Sequence, residues 1–229
     1  MTSAPSGSSV VRPVVERACS AAEPLRVAVL ASGGGSNLQA LLDAQTSTSP
    51  WRVVLAVVNV EGAPAIERAR ARAIDVCVIP HVGRPRAEHE ADVLVALRRA
   101  AVDLVVLAGY MRVLTEGFVA AFPRRIVNVH PALLPSFPGL HGARQALEHG
   151  CRVTGCTVHL VDAGVDTGPI LAQAAVAIDD DDDEHSLQGR IQQQEHRLLP
   201  RVVQAYAEGR VVERGGAIRC LDVAPPAQG

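Results

Sequence analysis

The chain has no lysine: all 22 of its basic residues are arginine. That excludes Schiff-base chemistry on a lysine and a Walker-type phosphate lysine. Aromatic residues make up only 3% of the sequence, so a core must come from Ala, Val, Leu and Ile, which are plentiful at an overall hydrophobic content of 48%. The five cysteines (Cys19, Cys77, Cys151, Cys156, Cys220) form no C-x-x-C pair and are odd in number. A zinc ribbon and a disulfide framework are therefore not expected, and reduced thiols in the cytoplasm are. No stretch reaches the roughly 18–20 consecutive apolar residues of a membrane span. The formal charge of −2 gives no general attraction to nucleic acid or an anionic membrane. No G-x-G-x-x-G fingerprint is present.

What is present is a repeated alternation of apolar runs and helical patterns. Arg26–Ala31, Arg52–Asn59, Val76–Ile79, Asp103–Ala108 and Arg125–Val129 read as short strands. Between them lie amphipathic stretches to about Gln45, over 64–73, over 85–101 and over 115–122. Such alternation predicts an α/β fold with a doubly wound, mostly parallel sheet covered on both faces. The pattern then lengthens into an extended C-terminal half. Val153–Val161 and Ile170–Ile178 read as longer strands, and the acidic run 179–184 opens a helix to about Glu208. Two short strands joined across Gly215-Gly216 close the chain as a hairpin. The boundaries expected are a disordered leader over 1–24, rich in Ser, Ala and Pro, one domain over 25–220, and a flexible tail over 221–229. The acidic run reads as a solvated helix N-terminus rather than a metal site, since carboxylates there are favoured by the helix dipole; no metal is expected.

Four segments carry chemistry. In Ser32-Gly33-Gly34-Gly35-Ser36-Asn37-Leu38-Gln39, three glycines let backbone approach a ligand, and the S-x-x-Q spacing suggests a capping box. The N–H groups at such a helix start bind a single phosphate readily, the reading favoured here, although a tight strand-to-helix turn with a good cap is the alternative. At the end of the fourth strand, Met111, Val113 and Leu114 beside Gly109 could form an apolar wall for a flat heterocycle, and a strand end with a helix staple reads equally well from them. In Ile126-Val127-Asn128-Val129-His130-Pro131, Asn128 and His130 project from one face of a strand, so an amide and an imidazole could grip a carbonyl oxygen and handle a proton. Asp166, on a glycine-flanked loop, could hold that imidazole charged. A plain strand cap explains Asn128 and His130 as well. His141 and His149 read as structural or exposed; His159, mid-strand, could brace the site or fill the core.

The set AVLASGGGSN, LAGYMRVL, NVHPALLPSFPGLHGARQAL, TVHLVDAGVDTGPIL and RIQQQEHRLLP, in this order and spacing, resembles the phosphoribosylglycinamide formyltransferases of purine biosynthesis over about residues 26–220. The resemblance implies a Rossmann-like formyltransferase fold and direct transfer of a formyl group from 10-formyltetrahydrofolate, a cosubstrate, to the amine of glycinamide ribonucleotide, with no permanently bound cofactor. It makes Asn128, His130 and Asp166 the catalytic trio. Gly35, Ser36 and Asn37 would hold the ribonucleotide phosphate, with Gln192 near that phosphate and Glu195 contacting the ribonucleotide. Some relatives carry a lysine near Gln192; here backbone N–H groups and Arg190 would take its place. Arg86, Met111, Arg112, Val113, Leu114, Asn128, Val161, Asp162 and Asp166 would border the folate, with Arg84 competing for the place of Arg86. The implied partners are these small molecules, with a homodimer left open. A methionyl-tRNA formyltransferase would add an RNA-binding domain and a basic patch, a deformylase an N-terminal regulatory domain, and neither is expected here. An inactive ligand-binding protein would be expected to have lost part of the trio, which is intact in type.

Overall fold

The computed structural model describes residues 11–223. Its centre is a seven-stranded sheet of β2 (Leu25–Ala31), β3 (Trp51–Val58), β4 (Asp75–Val78), β5 (Leu104–Leu107), β6 (Ile126–His130), β7 (Val153–Leu160) and β8 (Ile170–Ala177). The strand order is β4-β3-β2-β5-β6-β7-β8. From β4 to β6 every pairing is parallel; β7 and β8 are antiparallel additions.

The parallel strands are buried on both faces, which is why they read as continuous apolar runs rather than alternating ones. On β2, Val27, Val29 and Ala31 enter one core, whereas Ala28 and Leu30 enter the other. The first core is closed by α1 (Ser36–Ala44), α2 (Pro64–Arg70), α5 (Gly142–Glu148) and the 24-residue α6 (Glu184–Ala207). The second is closed by α3 (Arg86–Arg99) and α4 (Glu116–Ala121), through Val93, Leu97, Phe118 and Phe122. The expected doubly wound, mostly parallel sheet is therefore the one observed, with boundaries within a few residues. Helix α5 was not anticipated. The Pro- and Gly-rich segment before it hides its start, and its first turn follows His141 in a left-handed conformation (φ 61°).

Strand order reverses at β2, which lies between β3 and β5. The loops leaving β2 and β5 diverge there and open a crevice at the strands' carboxyl ends, the usual ligand position in such sheets. The two loops are tied together: Ser32 N–H donates to Gly109 O (3.1 Å) and Met111 N–H to Ser32 Oγ (2.9 Å).

The leader expected over 1–24 requires correction for residues 11–24; residues 1–10 lie outside the described residues. Strand β1 (Val11–Pro13) pairs antiparallel with β9 (Val211–Arg214), which in turn pairs with β10 (Ala217–Cys220) as the expected hairpin. Arg17 forms an ion pair with Asp103 and donates to Pro24 O at 3.0 Å, and Val14, Val15 and Cys19 pack on the core. Composition alone misses this because β1 is held by backbone pairing and one ion pair, not by an apolar run of its own. Of the tail, 221–223 are anchored by Leu221 N–H to Arg210 O (2.9 Å) and by Val223 against the core; 224–229 lie outside the described residues. Removing residues 1–24 should lower Tm by several degrees, since each 1 kcal/mol lost shifts a domain of this size by about 2–4 °C. A thermal melt of the truncated chain checks this, and an unchanged Tm would restore the disordered leader.

Candidate active site

At the carboxyl ends of β5 and β6 lies a cleft of about 360 Å³ bounded by Leu107, the Gly109–Leu114 segment, Asn128 to Pro131, Gly139 to His141, His159 and the loop residues Val161, Asp162 and Gly164 to Asp166. One side is the apolar wall expected from sequence: Met111 and Val113 are exposed to the cleft and Leu114 is buried beneath them. Glu90, buried on α3, accepts from Thr115 N–H (3.0 Å) and from the Thr115 hydroxyl, and Thr115 caps α4, so the wall is anchored at its far end.

Opposite the wall, the end of β6 presents Asn128 and His130. The antiparallel pairing of β6 with β7 sets His159 directly across from Asn128. Asp166 reaches in from the β7–β8 loop at φ 55°, a left-handed conformation that a short polar side chain tolerates. The structure thus brings together all three residues of the expected trio, which lie 38 positions apart at the extremes. Asp166 Oδ2 is 3.3 Å from His130 Nδ1 and accepts the Gly139 N–H at 2.8 Å. Asp166 Oδ1 lies 3.4 Å from Asn128 Nδ2 and 3.5 Å from His159 Nε2. His130 Nε2 meets Phe137 O at 2.8 Å. Both ring nitrogens of His130 therefore face oxygen acceptors, an arrangement fully satisfied when both carry protons. His130 is buried, 3% exposed.

Burial pushes the Asp166 carboxyl upward, but the hydrogen bond with His159, the Gly139 N–H and the nearby His130 and His159 outweigh it and hold the carboxyl below the usual range. A lowered carboxylate stabilises the fold at every pH above the unfolded Asp value, and that contribution is lost as pH falls through the lower folded value. Acid should therefore release the loop that carries Asp166.

His159 sits at the site's base, with Nε2 3.1 Å from Asn128 Nδ2 and Nδ1 2.8 Å from Leu160 O. It braces Asn128 and Asp166 rather than filling the core, and only the strand register could have disclosed this. Phe137 and Gly139 contribute through backbone atoms, which no sequence signal marks. His141 lies on the rim, 3.5 Å from Glu184. His149 bonds Gln145 O at 2.8 Å and packs on Phe137, a structural role. Val161 and Asp162 line the cleft as expected, and Asp162 shapes its loop by accepting from Gly164 N–H (3.0 Å) and Thr167 Oγ1 (2.7 Å). Arg86 is exposed at the first turn of α3, outside the residues that bound the cleft, and its competitor Arg84 is bound to Asp92 at 2.7 Å.

The glycine loop, tied to the Gly109–Met111 segment through Ser32, leads from β2 into α1. The expected capping box is absent, because Gly35, not Ser36, is the N-cap residue of α1, at φ 72°, and no side chain caps the helix. The first-turn N–H groups are thereby left for an outside acceptor. A Cβ on Gly35 would lie 2.8 Å from Ala65 Cβ, whereas Gly33 and Gly34 have open space. Gly35→Val should consequently destabilise the fold by forcing α1 from α2, while Gly34→Val should spare Tm and weaken an anion bound at the loop. Melts of both variants, with ribonucleotide KM for the second, separate the two effects. Asn37 Nδ2 donates to Glu195 Oε2 at 2.7 Å, joining two residues that the resemblance assigned to one ligand. Burial raises the Glu195 carboxyl, with the Asn37 bond opposing it. Gln192 lies one turn earlier on α6, half-buried. Arg190 is not free for a phosphate: it is paired with Asp179 (2.6 Å) and Asp182, and Asp183 caps α6 through Ser186 N–H (2.7 Å). The acidic run is thus a helix start holding an arginine, as its composition suggested.

An amide donor, a caged imidazole and a half-buried carboxylate beside a cleft with an apolar wall, together with an uncapped helix start, fit a group transferase acting on a carbonyl-bearing group. Residues 25–203 match the formyl transferase family, and the chain belongs to it. It is 48% identical over 186 residues to the phosphoribosylglycinamide formyltransferase of Mycobacterium tuberculosis, covering 80% of this chain and 86% of that one. It is likewise 48% identical to the trifunctional purine biosynthetic protein adenosine-3 of Drosophila melanogaster, of whose length the match spans only 14%. Among solved structures, glycinamide ribonucleotide transformylase 1 of Symbiobacterium toebii superposes with a TM-score of 0.82 at 45% identity, over 87% of this chain and 95% of that one. These relatives set the chain among the phosphoribosylglycinamide formyltransferases of the family.

Proposed function

We propose that the chain transfers the formyl group of 10-formyltetrahydrofolate to the amine of glycinamide ribonucleotide, a step of purine synthesis. The single observation that carries the chemistry is the cage of Asn128, His130 and Asp166 at the mouth of the cleft, His130 being held between Phe137 O and Asp166. The name of the Mycobacterium tuberculosis relative supports formyl transfer to the ribonucleotide, and that of the Drosophila relative supports purine synthesis.

The folate lies along the Met111–Leu114 wall with its heterocycle against Val161 and Asp162. The ribonucleotide spans from the glycine loop, where its phosphate meets the N–H groups at the start of α1, past Asn37 and Glu195 to the trio. Its neutral amine attacks the formyl carbon, and the carbonyl oxygen becomes an oxyanion. The Asn128 amide donates to that oxygen. His130, both of whose nitrogens are engaged, supplies fixed positive charge beside it rather than a hydrogen bond of its own. Asp166 holds that charge in place. As the bond from the formyl carbon to the folate nitrogen breaks, the proton shed by the amine passes through solvent at Asp166 to the departing nitrogen. Formylated ribonucleotide and tetrahydrofolate leave, and atoms balance without a covalent enzyme intermediate.

Direct attack requires both substrates on the protein together. Initial rates measured at several fixed concentrations of each should give intersecting patterns. Parallel lines, or a burst of tetrahydrofolate before ribonucleotide is added, would point to a formyl-enzyme and overturn direct attack.

A further inference from the structure

The glycine loop could face its N–H groups in more than one direction, since glycine restrains neither Gly33 nor Gly34. Helix α2 settles the direction. Ala65 N–H donates to Gly33 O at 3.2 Å, and Arg68 Nε donates to Gly34 O at 2.8 Å. In a trans peptide the C=O and N–H of one unit point opposite ways. With two successive carbonyls fixed toward α2, the N–H groups of Gly34 and Gly35 face away from it, continuing into the uncapped first turn of α1. Such a run of N–H groups is an anion nest. Within the same turn Asn37 is 8% exposed, its amide nitrogen is held by Glu195, and its buried Oδ1 has no hydrogen-bond partner.

Arg68 is unusual among the arginines of this region. Arg70 pairs with Glu67 and Arg190 with Asp179 and Asp182. Arg68 bonds only neutral oxygens, Gly34 O and, at 3.4 Å, Gln39 Oε1, and no carboxylate pairs with it among the described residues. Its charge sits at the negative end of the Gly34–Gly35 peptide dipole, whose positive end is the N–H turned to the nest.

We propose that Arg68 is a positioning residue for the phosphate: it locks and polarises the Gly34–Gly35 peptide so that its N–H meets the ribonucleotide's phosphate. The inference rests on the glycine loop being the phosphate site. In a chain without lysine, an arginine acting through the backbone does part of the work of a direct cation.

The test uses Arg68→Met and Arg68→Lys in the full chain. Loss of one charge-assisted hydrogen bond predicts a rise of about 10-fold in KM for the ribonucleotide in Arg68→Met, with kcat and folate KM near wild type. Arg68→Lys, which can still donate to Gly34 O, should recover part of the loss. A second readout is binding without turnover. At one fixed concentration ribose 5-phosphate should raise the Tm of the wild type clearly and that of Arg68→Met less, and ribose should raise neither. Equal stabilisation of wild type and Arg68→Met by ribose 5-phosphate would overturn the role of Arg68 while leaving the phosphate site intact. No stabilisation of the wild type would overturn the phosphate site itself. If Arg68→Met does not fold, Arg68→Gln is read in the same assays with the same expected rise in KM, and a wild-type KM there would equally overturn the proposal.

Discussion

Replacing Asp166 by asparagine should lower kcat at least about 10²-fold, because the change removes the charge that holds His130 and the carboxylate that handles the amine proton. The side chain keeps its shape and can still accept the Gly139 N–H that now lies 2.8 Å from Oδ2, so the loop should keep its place. What disappears is the negative charge 3.3 Å from His130 Nδ1. A neutral His130 can still donate to Phe137 O but brings no positive charge to the oxyanion. His130→Asn should therefore cost a similar factor, and the double variant should be little worse than either single, since residues that act as a unit are not additive. Folate binding, measured directly, should survive in all three, because the Met111–Leu114 wall is untouched. Fully additive losses, or near-normal turnover in Asp166→Asn, would separate the two residues and remove the charge argument.

The second large effect belongs to Asn128. Its Nδ2 lies among His159 Nε2 at 3.1 Å and Asp166 Oδ1 at 3.4 Å, on a side chain that opens to the cleft. Asn128→Ala should cost about 10²–10³ in kcat, the usual loss for one oxyanion donor. Tm should barely move, because Asn128 is not fully buried and contributes no apolar contact to either core. Asn128→Asp should be worse than alanine. It would set a second carboxylate beside Asp166, where like charges repel, and turn an acceptor toward the developing negative oxygen. If Asn128→Asp retained more activity than Asn128→Ala, the amide would not be the oxyanion donor.

Much of this was legible in the sequence, for physical reasons that differ by region. The parallel strands were found because burial on both faces writes a continuous apolar run. Asn128 and His130 were found because strand alternation fixes their common face, and Asp166 because a polar residue between glycines marks a loop. Features decided by distant backbone pairing were not legible. Strand β1 is a three-residue segment that exists only because β9 offers an edge. The S-x-x-Q spacing pointed to a capping box, but Gly35 took the cap position with a conformation closed to Ser36 without strain, and its close approach to Ala65 gives that glycine a packing role as well. Arg190 seemed available for a phosphate until its two aspartates were placed beside it. Arg68 carried no signal at all, since its partner is a carbonyl.

The most direct measurement follows a 13C-labelled formyl group from 10-formyltetrahydrofolate in the presence and absence of glycinamide ribonucleotide, reading the product by NMR. The account predicts that folate is consumed only when the ribonucleotide is present and that the label appears as a formamide on its amine, one for each tetrahydrofolate formed. Release of labelled formate at the same rate without the ribonucleotide would make water the acceptor and contradict the assignment.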